Sequence, residues 1–136
     1  MDLTEVATPS LVLDRGRLLR NAQAMKDRAA RLGVALRPHL KTVKSAAVAR
    51  LAMTGAGATV STLREASYFA DHGVTDLVLA VCTTPDKLDR AAALMDAGVR
   101  LRLLTDDVTV ARAIAAHPSG ITALVEVDSG GARTGL

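Results

Sequence analysis

The residues whose types and spacing best suit catalysis lie close together near position 40. Lys41 follows His39 by two residues, and a second lysine, Lys44, comes three residues later. A free lysine amine titrates near ~10.4, but partial burial and a neighbouring cation both favour its neutral, nucleophilic form. Lys41 is therefore a candidate for covalent chemistry with a carbonyl group. On this stretch alone, the alternative is that Lys41 and Lys44 are ordinary solvated loop lysines.

This cluster follows a short apolar run, Val34–Leu36, which predicts a strand that ends at Lys41. In repeating α/β folds the carboxyl ends of strands carry the chemistry. Arg37, His39 and Lys41 would share one strand face, because side chains alternate along a strand with a period of two. For Arg37 we expect a structural ion pair with Glu126, which faces inward on the last predicted strand. His39 either lines the site or is a hydrogen-bonded core histidine.

The rest of the chain alternates strand and helix patterns. Asp14 is a candidate cap for the first helix, Thr62 and Glu65 form a capping-box pattern, and the helix that begins near Ser45 is expected to break at Thr54-Gly55. Strands spaced about every 20 to 24 residues, with a helix between each pair, indicate a parallel sheet. The predicted strands are a short one at 11–13, then 34–41, 58–61, 76–81, 100–104 and 121–127.

Three segments of the sequence resemble the amino-terminal half of the D-threonine aldolase and D-serine dehydratase family. They are TPSLVLD (8–14), RPHLKT (37–42) and VEVDSGGARTG (125–135), and the resemblance runs over essentially the whole chain. It implies pyridoxal phosphate (PLP) as cofactor and a barrel like that of alanine racemase. The expected fold class is α/β, a partial (β/α) TIM-type barrel of the alanine-racemase N-terminal domain kind, with about five parallel barrel strands plus a short N-terminal strand.

The same resemblance bounds the domain. A closed eight-stranded barrel takes roughly 250 residues, so we expect residues 1–136 to be the N-terminal part of a PLP-binding barrel domain. The remainder of the barrel and a C-terminal β domain would be absent, and we expect the 136 residues alone to be inactive. The full-length protein is expected to be a homodimer. A divalent metal is a further expected cofactor, with ligands outside this chain.

The resemblance also implies roles for single residues. Lys41 would bind PLP covalently through its amine and, in a dehydratase, would also be the base that moves the α-proton. Arg133 would lie close to the phenolic oxygen of PLP. His39 is a further candidate cofactor-binding residue, because it would share the strand face of Lys41. Asp128 is expected to hold its glycine-rich loop through backbone hydrogen bonds. Val43 departs from the family, which commonly has histidine there, so any positioning role of that histidine is missing.

Composition narrows the class of protein. The chain is 49% hydrophobic with a formal net charge of +3, and its basic residues form no stripe. Tyr68 and Phe69 are its only aromatic residues, so nucleic-acid binding is disfavoured. A single cysteine, Cys82, allows neither an internal disulfide nor a cluster of several cysteines around a metal. No signal-peptide pattern or apolar run of roughly 20 residues is present, so we expect a cytoplasmic protein without membrane partners.

The resulting hypothesis is a PLP-dependent lyase that acts on D-3-hydroxy amino acids. It would either cleave them to glycine and an aldehyde, as a D-threonine aldolase does, or dehydrate them, as a D-serine dehydratase does. One alternative is an amino-acid racemase on the same scaffold. Another is a self-contained five-stranded α/β binding module without catalysis. The order of strands in the sheet separates the last alternative from a barrel, since a doubly wound module has an order such as 2-1-3-4-5.

Overall fold

Helices and strands alternate along the chain in the computed structural model, which describes residues 2–53, 55 and 57–136. The predicted break at Thr54-Gly55 falls partly outside the described residues, because Thr54 is not among them. Single 3-10 turns occupy Leu3–Glu5 and Pro85–Lys87. The helices are α1 (Arg15–Arg31), α2 (Ala46–Ala52), α3 (Leu63–Asp71), α4 (Leu88–Asp96) and α5 (Val108–Ala116). The strands are β1 (Ala58–Val60), β2 (Asp76–Cys82), β3 (Arg100–Thr105) and β4 (Ala123–Val125).

The strands form one parallel sheet in the order β1-β2-β3-β4, which is also their order along the chain. Sequential parallel neighbours with intervening helices are the arrangement of a (β/α) barrel arc. The order confirms the predicted α/β fold class of a partial barrel. It does not fit the doubly wound module, in which the strand order reverses at a switch point.

The predicted strand at 34–41 is wrong in its extent. It is reduced to one parallel bridge between His39 and Thr59, flanked by hydrogen bonds from Leu40 N to Thr59 O (2.8 Å) and from Thr59 N to Pro38 O (2.9 Å). The pairing stops there because the chain turns at once: the amides of Val43 and Lys44 both donate to Leu40 O. The segment still lies beside β1, at the edge that a first barrel strand would occupy.

The short strand predicted at 11–13 does not form among the described residues. The segment pairs with no strand there, and Leu11, Val12 and Leu13 are all exposed. A strand needs a partner for its backbone N–H and C=O groups, and the partner expected for this segment is the C-terminal β domain. Pairing with that domain stays a prediction.

Helix caps account for where several helices begin. Asp14 accepts a hydrogen bond from Arg17 N (2.9 Å), as expected for the cap of α1. Thr62 caps α3 by accepting from Glu65 N (3.0 Å). The reciprocal half of the capping box is shifted by one residue, since the carboxylate of Glu65 accepts from Ser61 N (2.8 Å).

One face of the sheet carries the core. Alternate strand residues are fully or almost fully buried among the helices, and the core includes Val60, Phe69, Leu77, Leu79, Leu101 and Leu103. The residues between them, including Val78, Ala80 and Arg102, are only half-buried. We call this second face the inner face. Among the described residues, no helix combines the length and apolarity that crossing a bilayer requires.

Candidate active site

Polar side chains collect at the carboxyl edge of the sheet. Ser61 follows β1, Cys82 ends β2, Asp106 follows β3 and Glu126 follows β4. Because the strands are parallel, their carboxyl ends meet at one edge, where barrel enzymes place their catalytic groups. The turn that carries Lys41 emerges at this same edge, directly after the paired residues 38–40.

Lys41 lies in that turn and is exposed. Its side-chain amine makes no hydrogen bond or ion pair with any residue that the structure describes. The partial burial expected for this lysine is therefore not present. The segment paired with β1 ends at Leu40, so the strand face predicted to carry Arg37, His39 and Lys41 does not extend to Lys41. Lys44, which follows it, has a positive φ of 45°. An exposed, unpaired amine at the carboxyl edge is free to react with a carbonyl ligand.

His39 links this turn to β1. Its Nδ1 accepts a hydrogen bond from Lys41 N (3.2 Å), and its Nε2 lies 3.4 Å from Ser61 Oγ. Burial lowers the pKa of His39, the charge of Lys41 lowers it further, and Glu65 opposes the shift. A histidine that accepts at Nδ1 and has a lowered pKa is neutral, with its proton on Nε2. His39 is thus half-buried and hydrogen-bonded beside the candidate lysine and is not a core histidine, while its contact with a cofactor stays a prediction.

Arg37 forms an ion pair, but its predicted partner was wrong. Its guanidinium contacts Asp76, with Nη2 at 2.8 Å from Oδ1, and also donates to the carbonyl oxygens of Ala58 and Asp76. Asp76 begins β2, whereas Glu126 follows the end of β4. The two carboxylates therefore lie at opposite ends of a parallel sheet, and Arg37 lies at the amino end.

Asp76 is shared by two further arginines, Arg102 at 2.9 Å and Arg100 at 3.4 Å. Burial alone would raise the pKa of Asp76, but hydrogen bonds and positive charge from Arg37 and Arg102 outweigh it and lower the pKa. This network is far along the strands from the carboxyl edge, so it stabilises the sheet and is not part of the candidate active site.

Cys82, Asp106 and Glu126 form a cluster that sequence reasoning did not assemble. One potential ligand atom from each residue lies within 4.8 Å of the others, and Cys82 Sγ donates to Glu126 Oε2 (3.0 Å). Burial and hydrogen bonds to Glu126 and Asp106 raise the pKa of the Cys82 thiol to about 12. The thiol is thus protonated near neutral pH and is not a nucleophile.

The register of the sheet explains the cluster. Leu103 pairs with Ala123, and the same offset places Asp106 opposite Glu126. A regular pairing of β2 with β3 would likewise bring Cys82 to the level of Asp106, although an irregularity shifts Cys82 to the level of Leu104. The signal in the sequence that could have predicted this cluster is therefore a polar residue at the end of each of three successive strands.

The glycine-rich segment 128–135 is called the Arg133 loop below. As predicted, the Asp128 carboxylate holds it through backbone hydrogen bonds, accepting from the amides of Gly130 (2.9 Å), Gly131 (2.7 Å) and Ala132 (3.0 Å). Arg133 is exposed, and its guanidinium has no hydrogen bond or ion pair with the described residues. An unpaired guanidinium on a tied backbone is suited to bind an anionic oxygen.

Comparison with known proteins gives a consistent result. The family model "Alanine racemase, N-terminal domain" matches residues 13–136. The chain is 40% identical to a D-threo-3-hydroxyaspartate dehydratase from Delftia sp. over 98% of this chain and 37% of the relative. It is 34% identical to a 3-hydroxy-D-aspartate aldolase from Paracoccus denitrificans, over 100% of this chain and 37% of the relative.

A solved structure of the Delftia dehydratase superposes with a TM-score of 0.89 at 40% identity, covering 97% of this chain and 36% of that chain. Proteins named D-threonine aldolase and D-serine dehydratase also match, so the resemblance seen in the sequence is confirmed. The chain spans between 29% and 37% of the length of these curated relatives. On these matches and on the observed strand order, the chain belongs to the alanine racemase N-terminal domain family.

Proposed function

We propose that this protein is a PLP-dependent lyase that acts on D-3-hydroxy amino acids and binds its cofactor through Lys41. The observation that carries the proposal is the exposed amine of Lys41, which pairs with no described residue, at the carboxyl edge of a barrel sheet. It lies beside a neutral His39. The names of the relatives, which include aldolases and dehydratases of D-3-hydroxy amino acids, support the reaction class.

The residues present fit PLP at two of its reactive positions. The amine of Lys41 can react with the aldehyde of PLP. The guanidinium of Arg133, which pairs with no described residue, can donate hydrogen bonds to the phenolate oxygen of PLP. Bound PLP supplies an electron sink that stabilises negative charge at the α-carbon of an amino acid. Val43, where the family commonly has histidine, cannot donate a hydrogen bond or carry a proton to the same site.

The residues of this chain have distinct tasks in this account. Lys41 would supply the amine that holds the cofactor and, in a dehydratase, would also be the base that accepts the α-proton. The neutral imidazole of His39 accepts from Lys41 N and so orients the turn, while its Nε2–H faces Ser61 Oγ. Arg133 would offer a fixed positive charge to the phenolic oxygen of the cofactor.

The choice between aldolase and dehydratase, the metal and the exact substrate stay predictions. Cleavage of the α–β bond requires a group that removes the proton from the β-hydroxyl, assisted by a divalent metal that polarises that oxygen, and both are expected outside this chain. The homodimeric state and the cytoplasmic location also stay predictions. The relatives suggest D-3-hydroxyaspartate as a substrate to test beside D-threonine and D-serine.

The test is a product analysis on the protein expressed from its complete gene. Glycine and an aldehyde would establish an aldolase, and a 2-oxo acid with ammonia would establish a dehydratase. Conversion to the L-enantiomer without cleavage would establish the racemase instead. Lys41→Ala is expected to abolish turnover, whereas Lys44→Ala, the matched change in the same exposed turn, is expected to retain it. A folded wild type with PLP and Mn²⁺ that converts none of these D-amino acids would contradict the proposal.

A further inference from the structure

We propose that Thr134 and Asp106, supported by Glu126 and Cys82, act as positioning residues that hold the Arg133 loop in one conformation for its contact with the cofactor. The inference deepens the proposed function and rests on it for the role of Arg133. The clamp itself is a separate claim, because its contacts are formed within this chain.

The loop is tied at both of its ends. Beside the three amides bound by Asp128, the hydroxyl of Thr134 donates to Glu126 Oε1 (2.8 Å) and Gly135 N donates to Asp106 Oδ2 (3.1 Å). Two backbone hydrogen bonds close the base, from Asp128 N to Leu136 O and from Leu136 N to Glu126 O, both 3.0 Å. The anchors flank Arg133 on both sides.

The anchors come from three different strands. Asp106 follows β3, Glu126 follows β4, and Cys82 at the end of β2 donates its thiol proton to the second oxygen of Glu126. Each oxygen of the Glu126 carboxylate thus accepts one hydrogen bond, and the side chain is held in a single orientation. The raised pKa of Cys82 means that this thiol donor persists through the neutral and mildly alkaline range.

The backbone held by these anchors contains one strained residue, Ala132, and one position, Gly135, that a larger residue could not fill. Ala132 has a φ of 48°, a left-handed conformation that a residue with a Cβ atom rarely takes. Gly135 has a φ of 106°, and a Cβ there would lie 2.5 Å from Asp128 N. A loop with such torsions requires surrounding contacts to persist. The anchors therefore fix the backbone on either side of Arg133, while no described residue pairs with its guanidinium.

The experiment uses the protein expressed from its complete gene, four variants that test the clamp, and Cys82→Ser for a Zn²⁺-binding measurement. Thr134→Val removes the hydroxyl donor while keeping the shape, and Thr134→Ser restores the donor. Asp106→Ala removes the second anchor. Asp107→Ala removes the adjacent carboxylate, which caps α5 by accepting from Thr109 N and Val110 N, and so lowers stability without touching the loop.

Two measurements are made on each variant. Hydrogen exchange of the peptide spanning 128–136 in the cofactor-free protein reports the clamp, and an absorbance titration gives the dissociation constant for PLP. We expect Thr134→Val and Asp106→Ala to speed exchange and to raise the dissociation constant about tenfold, the scale of one lost hydrogen bond. Thr134→Ser and Asp107→Ala should leave both readouts at the wild-type value, although Asp107→Ala lowers the melting temperature.

The outcomes separate the two claims. Unchanged loop exchange in Thr134→Val and Asp106→Ala would overturn the clamp. Faster exchange with an unchanged PLP dissociation constant would overturn the positioning role. A wild type that binds no PLP would overturn the positioning role together with the proposed function, while the exchange data would still decide the clamp. Stoichiometric Zn²⁺ binding that is lost in Cys82→Ser would assign the cluster to a metal and overturn the clamp.

Discussion

The backbone amide of Lys41 donates a hydrogen bond of 3.2 Å to Nδ1 of His39, two residues earlier in the chain. This contact requires an unprotonated Nδ1, and the lowered pKa of His39 keeps it so. The residue proposed to bind the cofactor is thus oriented by a histidine that is neutral in the folded state. A proton on Nδ1 would break the contact.

His39 therefore makes stability depend on pH on the acid side. Its pKa in the folded state lies below the usual value of 6.5, so the unfolded state binds more protons as the pH falls below that value. Stability is then lost from pH 6.5 downward until the folded pKa is reached. In urea unfolding at a series of pH values, His39→Asn, which keeps an acceptor near the Nδ1 position, should flatten this slope. His72→Asn, at the exposed end of α3, should keep it, and equal slopes in all three proteins would contradict the assignment.

The Asp76 network is expected to hold the amino end of the sheet together. Asp76→Asn would leave Arg37 and Arg102 facing each other without a counter-charge, and breaking such a largely buried pair costs about 3 kcal/mol. Because the pKa of Asp76 is lowered below its usual 3.8, its contribution is present above that pH and is lost as the pH falls below it. Chemical denaturation at neutral pH measures the loss. Asp71→Asn, an exposed carboxylate on α3, is the control, and a similar effect of both changes would refute the prediction.

Gly57 makes room for this network. A Cβ added there would lie 2.5 Å from Asp76 O and 2.6 Å from Arg37 Nη1, at a φ of 128°. Gly55 also has a positive φ, of 108°, but a Cβ there would meet nothing within 4 Å. Gly57→Ala should therefore lower the free energy of unfolding by about 2 kcal/mol more than Gly55→Ala, the scale of overpacking in a filled site. Equal losses, measured in the same denaturant series, would show that backbone torsion alone sets the cost.

The Cys82 thiol should be unreactive in the folded protein. Its pKa is raised from 9.0 to about 12, so at pH 8.5 its thiolate fraction is far below that of the unfolded chain. Labelling by a chromogenic disulfide, followed at Cys82 by peptide mass, should be at least about 100-fold slower than in denaturant. The linked stability is lost as the pH rises from 9.0 toward the folded value, because the unfolded thiol releases its proton first. Glu126→Gln should speed the labelling, and rapid labelling of the wild type would contradict the account.

Much of the fold could be predicted from periodicity and caps. The apolar segments at 76–81 and 100–104 located β2 and β3, and Asp14 and Thr62 marked helix starts that the structure confirms. The errors lie where pairing decides the outcome. Leu11–Leu13 have strand composition but pair with no described strand, and the segment before Lys41 is limited to one bridge by the turn that follows it.

In the candidate site, the role of Asp128 in its own loop could be predicted, whereas the contacts between distant residues could not. Asp128 was expected to tie its loop and does so. The partner of Arg37 was missed because a side chain's height along the barrel axis depends on register, which one sequence does not reveal. The contact between Cys82 and Glu126, which are 44 residues apart, was not predicted for the same reason: it depends on the register of the strands.

The most direct test of the account is to find which lysine carries the cofactor. The protein expressed from its complete gene is mixed with PLP, reduced with borohydride, digested, and mapped by mass spectrometry, with Lys41→Ala and Lys44→Ala in parallel. The account predicts a reduced PLP adduct on Lys41 in the wild type and in Lys44→Ala, and none in Lys41→Ala. An adduct on another lysine, or a folded wild type without any adduct, would contradict the assignment of Lys41 as the cofactor-binding residue.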